Sequence, residues 1–356
     1  MKRFRITVPA TSANLGPGFD CMGIALSLYD HFEVELAQDS GRAGIQGCAP
    51  EWAGDDNLLL RAYREGWARL LQENQQEASS VPAQGTTQGA SPAAQVQQIL
   101  DNPLHAGAGA PAAPPIAVRF HAEIPPARGL GSSAALLTAG VAAALILYRS
   151  TLGKSSTMQP GPATLSETDR AWILQTAAAM EGHPDNVAPA VYGGFCAAMP
   201  LGDGAFMHLR FPVASSWRFL AAIPDFPLET AKARKTLPNA YLRSDTVHAI
   251  AHSALTALAW ASGNPDALAH ACQDRIHQPY RMPLIAGGDT IATHLMAHGA
   301  AAVWISGSGP TLLSLHTGSV PDPCELRAGL DAAMAEHWSF VRLEPDHQGI
   351  RVDEIL

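Results

Sequence analysis

The chain has little charge, few aromatics and few cysteines. Of 356 residues, 15% are charged and 6% aromatic, and the five cysteines, Cys21, Cys48, Cys196, Cys272 and Cys324, stand far apart with no CxxC pair. Scattered, odd-numbered cysteines argue against a disulfide framework and for a reducing, cytoplasmic compartment. Basic residues number 23 against 32 acidic ones, a net charge of −9, which argues against nonspecific nucleic-acid binding. The uncharged run Ala134 to Tyr148 is 15 residues long, short of the roughly 20 that a membrane span needs. The start, MKRFRITVPATSAN, contains no apolar run of signal-peptide length. No membrane contact is therefore expected. No internal repeat is visible.

What is present suits a two-domain globular chain, with 47% hydrophobic residues and enough length for two cores sharing an interface. Alternation predicts strands over residues 2–9, 29–37, 116–123 and 217–223, a strand over 300–306 and its partner over 312–316. Helical spacing predicts helices over 56–71 (capped by Asp55 or Asp56), 132–148, 169–180, 244–262 and 265–274. From Gln72 to about Pro115 the chain is Gln, Ala, Ser, Gly and Pro, a composition that cannot offset ordering entropy. A disordered insert over about 74–115 is expected, with a short helix near 93–100, and Ser150 to Thr164 reads as a loop.

The chemistry concentrates in PARGLGSSAA, Pro126 to Ala135. Gly129 and Gly131 can take backbone angles closed to other residues. Ser132 and Ser133 stand where a helix begins, and its first free N–H groups attract phosphate. No lysine precedes the hydroxyl residues as a Walker A loop requires, and a third glycine for a dinucleotide fingerprint is missing. A tight turn before a buried helix is the bland alternative. His248 with His252 and His294 with His298 have helical spacing but no HExxH pattern or cysteine partner, so they read as surface histidines. Trp172, Trp260 and Trp304 read as packing.

Two further segments, VPATSANLGPGFDCMG (Val8 to Gly23) and ISGSGPT (Ile305 to Thr311), flank that loop in an order that resembles the GHMP kinases. EGHPDNVAPAVYGGF (Glu181 to Phe195) and HQPYRMPLI (His277 to Ile285) narrow the resemblance to the homoserine kinases among them. The resemblance implies an α+β GHMP kinase fold: a ribosomal protein S5 domain 2-like N-terminal domain over 1–210 and a ferredoxin-like C-terminal domain over 211–356. It implies ATP as co-substrate, Mg2+ as cofactor, L-homoserine as substrate, and allows a homodimer.

Residue by residue, the resemblance places ATP against Pro126, Ala127, Arg128, Gly129, Leu130, Gly131, Ser132, Ser133, Ala134 and Ala135, with Arg128 pairing with a phosphate. It gives Asn57 to adenine, though a helix cap suits that residue equally well. Ser133 and Glu181 are expected to hold the metal. Arg234 and Arg281 would hold the substrate carboxylate, a task suited to planar guanidinium forks. Asn14 and Asp20 would take the ammonium and hydroxyl end, with His183 and Asn186 lining the same pocket. Asn186, Thr230 and Arg234 would act at the transferring phosphoryl group. No dedicated base is expected, since positioning and charge neutralisation carry most of phosphoryl transfer. Gly307 and Gly309 read as structural support. Another acceptor such as mevalonate, or a nucleotide-binding sensor of the same fold, are the competing readings.

Overall fold

A computed structural model describes residues 3–37, 43–80, 112–151 and 165–355. The strands are β1 (Arg3–Ala13), β2 (Met22–Leu36), β3 (Gly44–Gln46), β4 (Ile116–His121), β5 (Phe195–Pro200), β6 (Phe206–Phe211), β7 (Arg218–Pro224), β8 (Ala302–Ile305), β9 (Leu312–His316), β10 (Trp338–Leu343) and β11 (Arg351–Ile355). The helices are α1 (Leu58–Ser80), α2 (Ser132–Thr151), α3 (Glu167–Glu181), α4 (Val187–Tyr192), α5 (Thr230–Lys235), α6 (Arg243–Ser262), α7 (Pro265–Ala271), α8 (Gln278–Arg281), α9 (Gly288–Ala297), α10 (Pro323–Ala328) and α11 (Ala332–His337).

Two sheets result. The first runs β11-β1-β2-β4-β3, with β5 on β2 and β6 on β5, and the second runs β10-β7-β9-β8. The second is antiparallel throughout. Its strands lie in the spatial order fourth, first, third, second of their chain order, the ferredoxin-like arrangement. β11 pairs with β1 from Arg3↔Ile355 to Thr7↔Arg351, so the chain's last strand belongs to the first sheet, although it lies in the stretch expected to form the second domain.

The hairpin β1–β2 is longer than alternation suggests. Thr11 to Ala13 pair with Gly23 to Ala25 across a register shift at Pro9/Ala10, which leaves only residues 14–21 as the loop. α2 is the central helix. Fourteen of its residues, from Ala134 to Tyr148, are buried, as expected for a helix apolar nearly all round. It reaches Thr151 and, among the described residues, is by length and composition the one helix able to cross a bilayer, yet most of it is enclosed by the fold. Phe32 stacks on its cross-strand partner Phe120 at 4.8 Å, and Trp260 stacks on Phe195 and packs edge-on to Trp217 and Trp304, joining the cores of the two sheets.

α1 departs from expectation. It continues to Ser80 instead of ending near Leu71, because Gln, Glu and Ala are good helix formers that extend an existing helix at little cost. Glu73 also anchors it, accepting from the Trp172 indole N–H at 2.9 Å and pairing with Arg69 at 2.9 Å. The rest of the expected insert up to residue 111, the short helix near 93–100 and the loop over 152–164 lie outside the described residues. α3 starts at Glu167, where Ser166 and Asp169 form a reciprocal capping box.

Candidate active site

A cleft is lined by the β4–α2 loop, the β1–β2 loop, the end of α3, the start of α5, Arg281 from α8 and the β8–β9 turn. Its floor is the turn 127–131. Gly129 and Gly131 both have φ of +76°, in the left-handed region. A Cβ on Gly131 would stand 2.0 Å from Thr11 Oγ1, and one on Gly129 2.2 Å from the Ser306 carbonyl, so both conformation and close approach require glycine.

The carbonyls of this turn are engaged behind it. Ala127 O accepts from Leu228 N (3.1 Å), Arg128 O from Thr311 N (3.3 Å), Leu130 O from Thr11 N (3.1 Å) and Gly129 O from Ser306 Oγ (2.6 Å). Gly131 O accepts from Ala135 N as the first bond of α2. The amides at the mouth of α2 have no partner within the helix and carry its positive dipole end. The groups the turn offers the cleft are donors.

Glu181, at the last residue of α3, accepts from Ser133 Oγ at 2.7 Å. Burial raises the Glu181 pKa, with Ser133 and His183 opposing. An anion held in a place that disfavours its charge, beside a hydroxyl and a donor-rich turn, is a donor set suited to Mg2+.

The opposite wall is cationic. Arg234 makes a two-pronged pair with Asp20, at 2.9 and 2.8 Å, which raises the Arg234 pKa. Arg281 is 1% exposed. Its Nη1 donates to Gly307 O at 3.0 Å, and its Nε has no partner. Burial, then the nearby Arg234 charge, lowers its pKa to about 10. Both guanidinium groups lie over the Phe19 ring, at 5.7 Å for Arg234 and 5.1 Å for Arg281. His277 stacks on the same ring at 5.4 Å.

His183 donates from Nδ1 to Asp185 Oδ1 at 2.5 Å. Burial works against its charge, but the Asp185 bond and the carboxylates of Asp185, Glu181 and Asp20 outweigh it and raise its pKa. Asp185 is buried, and its Oδ1 also accepts the Asn186 backbone N–H at 3.0 Å. Thr11 Oγ1 donates to Asn186 Oδ1 at 2.9 Å, fixing that amide. Asp20, His183 and Asp185 bring three potential ligand atoms within 4.8 Å. Asp20 is already engaged in the Arg234 fork and His183 on Asp185.

Most of the sequence-derived set therefore meets in one place. Asn14, Ala127, Arg128, Gly129, Gly131, Ser132, Ser133, Glu181, His183, Asn186, Thr230, Arg234 and Arg281 all line the cleft. Several of these residues have structural partners of their own. The Arg128 guanidinium is committed to the carbonyls of Pro224 (3.0 Å), Pro126 (3.2 Å) and Asp225 (2.5 Å), so it staples the turn to the end of β7 instead of waiting for phosphate. Asn57 is the cap of α1, accepting from Leu59 N at 2.9 Å and donating to Trp52 O at 2.8 Å, and is not among the cleft-lining residues. It takes the capping place expected of Asp55 or Asp56. The side chains of Leu130, Ala134 and Ala135 are buried and pack under the turn, so what these residues can offer a ligand is backbone. Asn14, with φ +58°, uses its amide to bind Gly307 O and the Asp20 N–H. Ser308 was missed. It lines the cleft and lies 3.1 Å from Thr230 Oγ1, and its place between two glycines of ISGSGPT was the available signal.

Comparisons with known proteins agree with this geometry. Residues 96–194 match the GHMP kinases N terminal domain. A homoserine kinase from Synechocystis is 36% identical over 99% of this chain and 97% of its own, and one from Deinococcus radiodurans is 36% identical over 88% and 84%. The chain belongs to the homoserine kinase family of the GHMP kinases. Among solved structures, a Listeria monocytogenes protein described as a candidate homoserine kinase matches with TM-score 0.65 and 25% identity over 98% of both chains. The Leishmania major mevalonate kinase, with TM-score 0.59 and 13% identity over 95% of both chains, shares the fold. The GHMP kinase fold of the homoserine kinases is thus present, α+β as expected.

Proposed function

We propose that this chain transfers the γ-phosphoryl group of ATP to the side-chain hydroxyl of L-homoserine, forming O-phospho-L-homoserine on the route to threonine. The observation that carries the reading is one cleft with a donor-rich turn and the Ser133–Glu181 pair on one side and Arg234, Arg281 and His183 on the other, with Asp20 held behind the lining in the Arg234 fork. An amino acid is a zwitterion that needs both charges answered. Its carboxylate goes to the guanidinium groups, and its ammonium to Asp20 once substrate divides the Arg234 fork. Mevalonate has a carboxylate but no ammonium, so Asp20 favours the amino acid.

The triphosphate lies against the amides at the mouth of α2, and Ser133 and Glu181 hold Mg2+, which neutralises phosphate charge when bound. Asn186, held by Thr11, orients the hydroxyl, and Thr230 with Ser308 lies across from the turn toward the transferring group. No carboxylate needs to act as base, because in a loose transition state the hydroxyl keeps its proton until late and then gives it to an oxygen of the transferred phosphoryl group or to solvent as ADP leaves. A cytoplasmic location is part of the reading, in keeping with five free cysteines.

The test is ATP consumption with homoserine, mevalonate, serine and galactose as acceptors. Homoserine should give the highest kcat/KM, and Asp20→Asn should depress it selectively. A chain that phosphorylates mevalonate better, or loses nothing on Asp20→Asn, is a different enzyme.

A further inference from the structure

His277 is fully buried and has no part in the reaction as described so far. It stands where HQPYRMPLI enters α8, four residues before Arg281, a spacing that brings the two side chains to one face. Its Nε2 lies 2.8 Å from Gly16 O and its Nδ1 3.4 Å from Arg281 Nη1. A carbonyl oxygen only accepts and a guanidinium only donates. Nε2 therefore carries the proton and Nδ1 offers a lone pair, so the two partners select the neutral ring in one tautomer. The surrounding charges agree. Asp274 is 3.5 Å from Nε2, but it already accepts the backbone N–H groups of Ile276, His277 and Gln278 at 2.8, 2.8 and 2.7 Å. A proton on Nδ1 would press one buried cation against another. Burial, with the Arg281 charge, holds the His277 pKa below the ordinary histidine value, against the Asp274 and Asp20 carboxylates and the Gly16 carbonyl.

On the reading that Arg281 takes the substrate carboxylate, we infer that His277 is the positioning residue for Arg281, fixing the guanidinium plane so that one edge is kept for the substrate. Nη1 has two N–H bonds to give. One goes to Gly307 O at 3.0 Å and the other to His277 Nδ1, while Nε has no partner. The edge away from both bonds, formed by Nε and Nη2, is one that meets a carboxylate in two parallel hydrogen bonds. Without the imidazole, Nη1 keeps a single acceptor and the plane can turn about that bond. The ring itself is held from two further sides, by Gly16 O and by the face of Phe19 at 5.4 Å, so the β1–β2 loop sets His277 and His277 sets Arg281.

Two substitutions separate this role from packing. In His277→Asn the amide oxygen can stand where Nδ1 was, and in His277→Gln the amide N–H can stand where Nε2 was. Steady-state kinetics should show KM for homoserine raised about tenfold in His277→Gln, the worth of one charge-assisted hydrogen bond, with kcat and KM for ATP within about twofold. His277→Asn should restore most of that loss. The reverse order, Gln near wild type and Asn impaired, assigns the ring to Gly16 alone and overturns the inference. So does an equal loss for both substrates. Should the variants fail to fold, nitrogen NMR of the wild type decides: His277 should carry its one proton on Nε2 from about pH 5.5 to 8, across the range where a free histidine titrates. A proton on Nδ1 overturns the inference. An unchanged homoserine KM in Arg281→Ala is the separate failure, which removes the carboxylate reading and this inference with it, whereas an impaired Arg281→Ala beside an unaffected His277→Gln removes the inference alone.

Discussion

Phe19 offers the most informative single substitution, because one ring carries both arginines of the carboxylate wall. Phe19→Leu keeps most of the apolar volume and removes the ring face. A cation–π contact contributes about 0.5–1 kcal/mol at an exposed site and about 2 when desolvated. Arg234, whose side chain is 38% exposed, belongs at the lower end, and Arg281, at 1%, near the upper. Part of each contribution is recovered by packing against Leu, leaving a net loss of about 1.5–2 kcal/mol, roughly ten- to thirtyfold in affinity. Steady-state kinetics with a coupled ADP assay should show KM for homoserine raised by that factor. KM for ATP should stay within about twofold, because the ring's partners are Arg234, Arg281 and His277. Phe19→Tyr, which keeps the face, should restore most of the loss. An unchanged homoserine KM in Phe19→Leu refutes the reasoning. An equal loss for both substrates with a lowered Tm shows the ring to be structural filler. Arg281→Ala is the control, and if it too leaves homoserine KM alone, the carboxylate assignment is at fault and not Phe19.

Gly131→Ala should raise KM for ATP at least tenfold with a measurable drop in Tm, because the new Cβ meets Thr11 Oγ1 at 2.0 Å and the left-handed conformation costs another 1–2 kcal/mol or so; wild-type kinetics would remove the turn from the phosphate site. Glu181→Gln should raise the Mg2+ concentration for half-maximal rate by roughly ten- to a hundredfold, the worth of one charge-assisted ligand, as read by a metal titration at saturating ATP. Asp30 is buried and its pKa is raised to about 6 by desolvation, against the amide bonds from Ile124 and Glu123. The fold therefore retains a proton that the unfolded chain releases near 3.8. That stability is complete below about pH 4 and is lost as pH rises through about 6, on the order of 2–3 kcal/mol. Urea midpoints across pH 4–7 should show this slope flattened in Asp30→Asn.

The phosphate turn and the order of elements were legible in the sequence because they are local. Two glycines, two serines and an apolar helix specify a donor-rich turn without reference to the rest of the chain. Roles that depend on distant partners were not legible. Arg128 is an arginine beside a phosphate turn, and only the carbonyls of Pro224 and Asp225, on the far side of the chain, reveal it as a staple. The Asp20–Arg234 fork joins residues 214 apart; the resemblance assigned each a separate task, and only the fold shows them paired. Asn57 was ambiguous for the opposite reason: the cap, one of its two readings, is local, and the helix start holds the amide. β11 closes onto β1 from the other end of the chain, a pairing that alternation over five residues cannot announce.

Asp185 is where the proposed mechanism is most exposed to refutation. It is the buried carboxylate next to Asn186, and burial beside a reacting hydroxyl is how a general base is usually made. Its hydrogen bonds argue otherwise. Oδ1 is taken by His183 and by the Asn186 backbone amide, which makes Asp185 the residue that fixes the orientation and charge of two pocket-lining neighbours, while the buried Oδ2, which has no partner, is the one atom through which it could take a proton. Asp185→Asn keeps an oxygen for the backbone bond but ends the charge that supports His183. Its pKa should then fall, and with it the protonated fraction at neutral pH. The expected phenotype is a homoserine KM raised severalfold, an altered pH dependence of kcat/KM between about pH 6 and 8, where a histidine titrates, and a kcat within about tenfold of wild type. A base would behave differently: kcat would fall by roughly 10²–10⁴ with KM and its pH profile unchanged, and that result would require the proton to leave through Asp185.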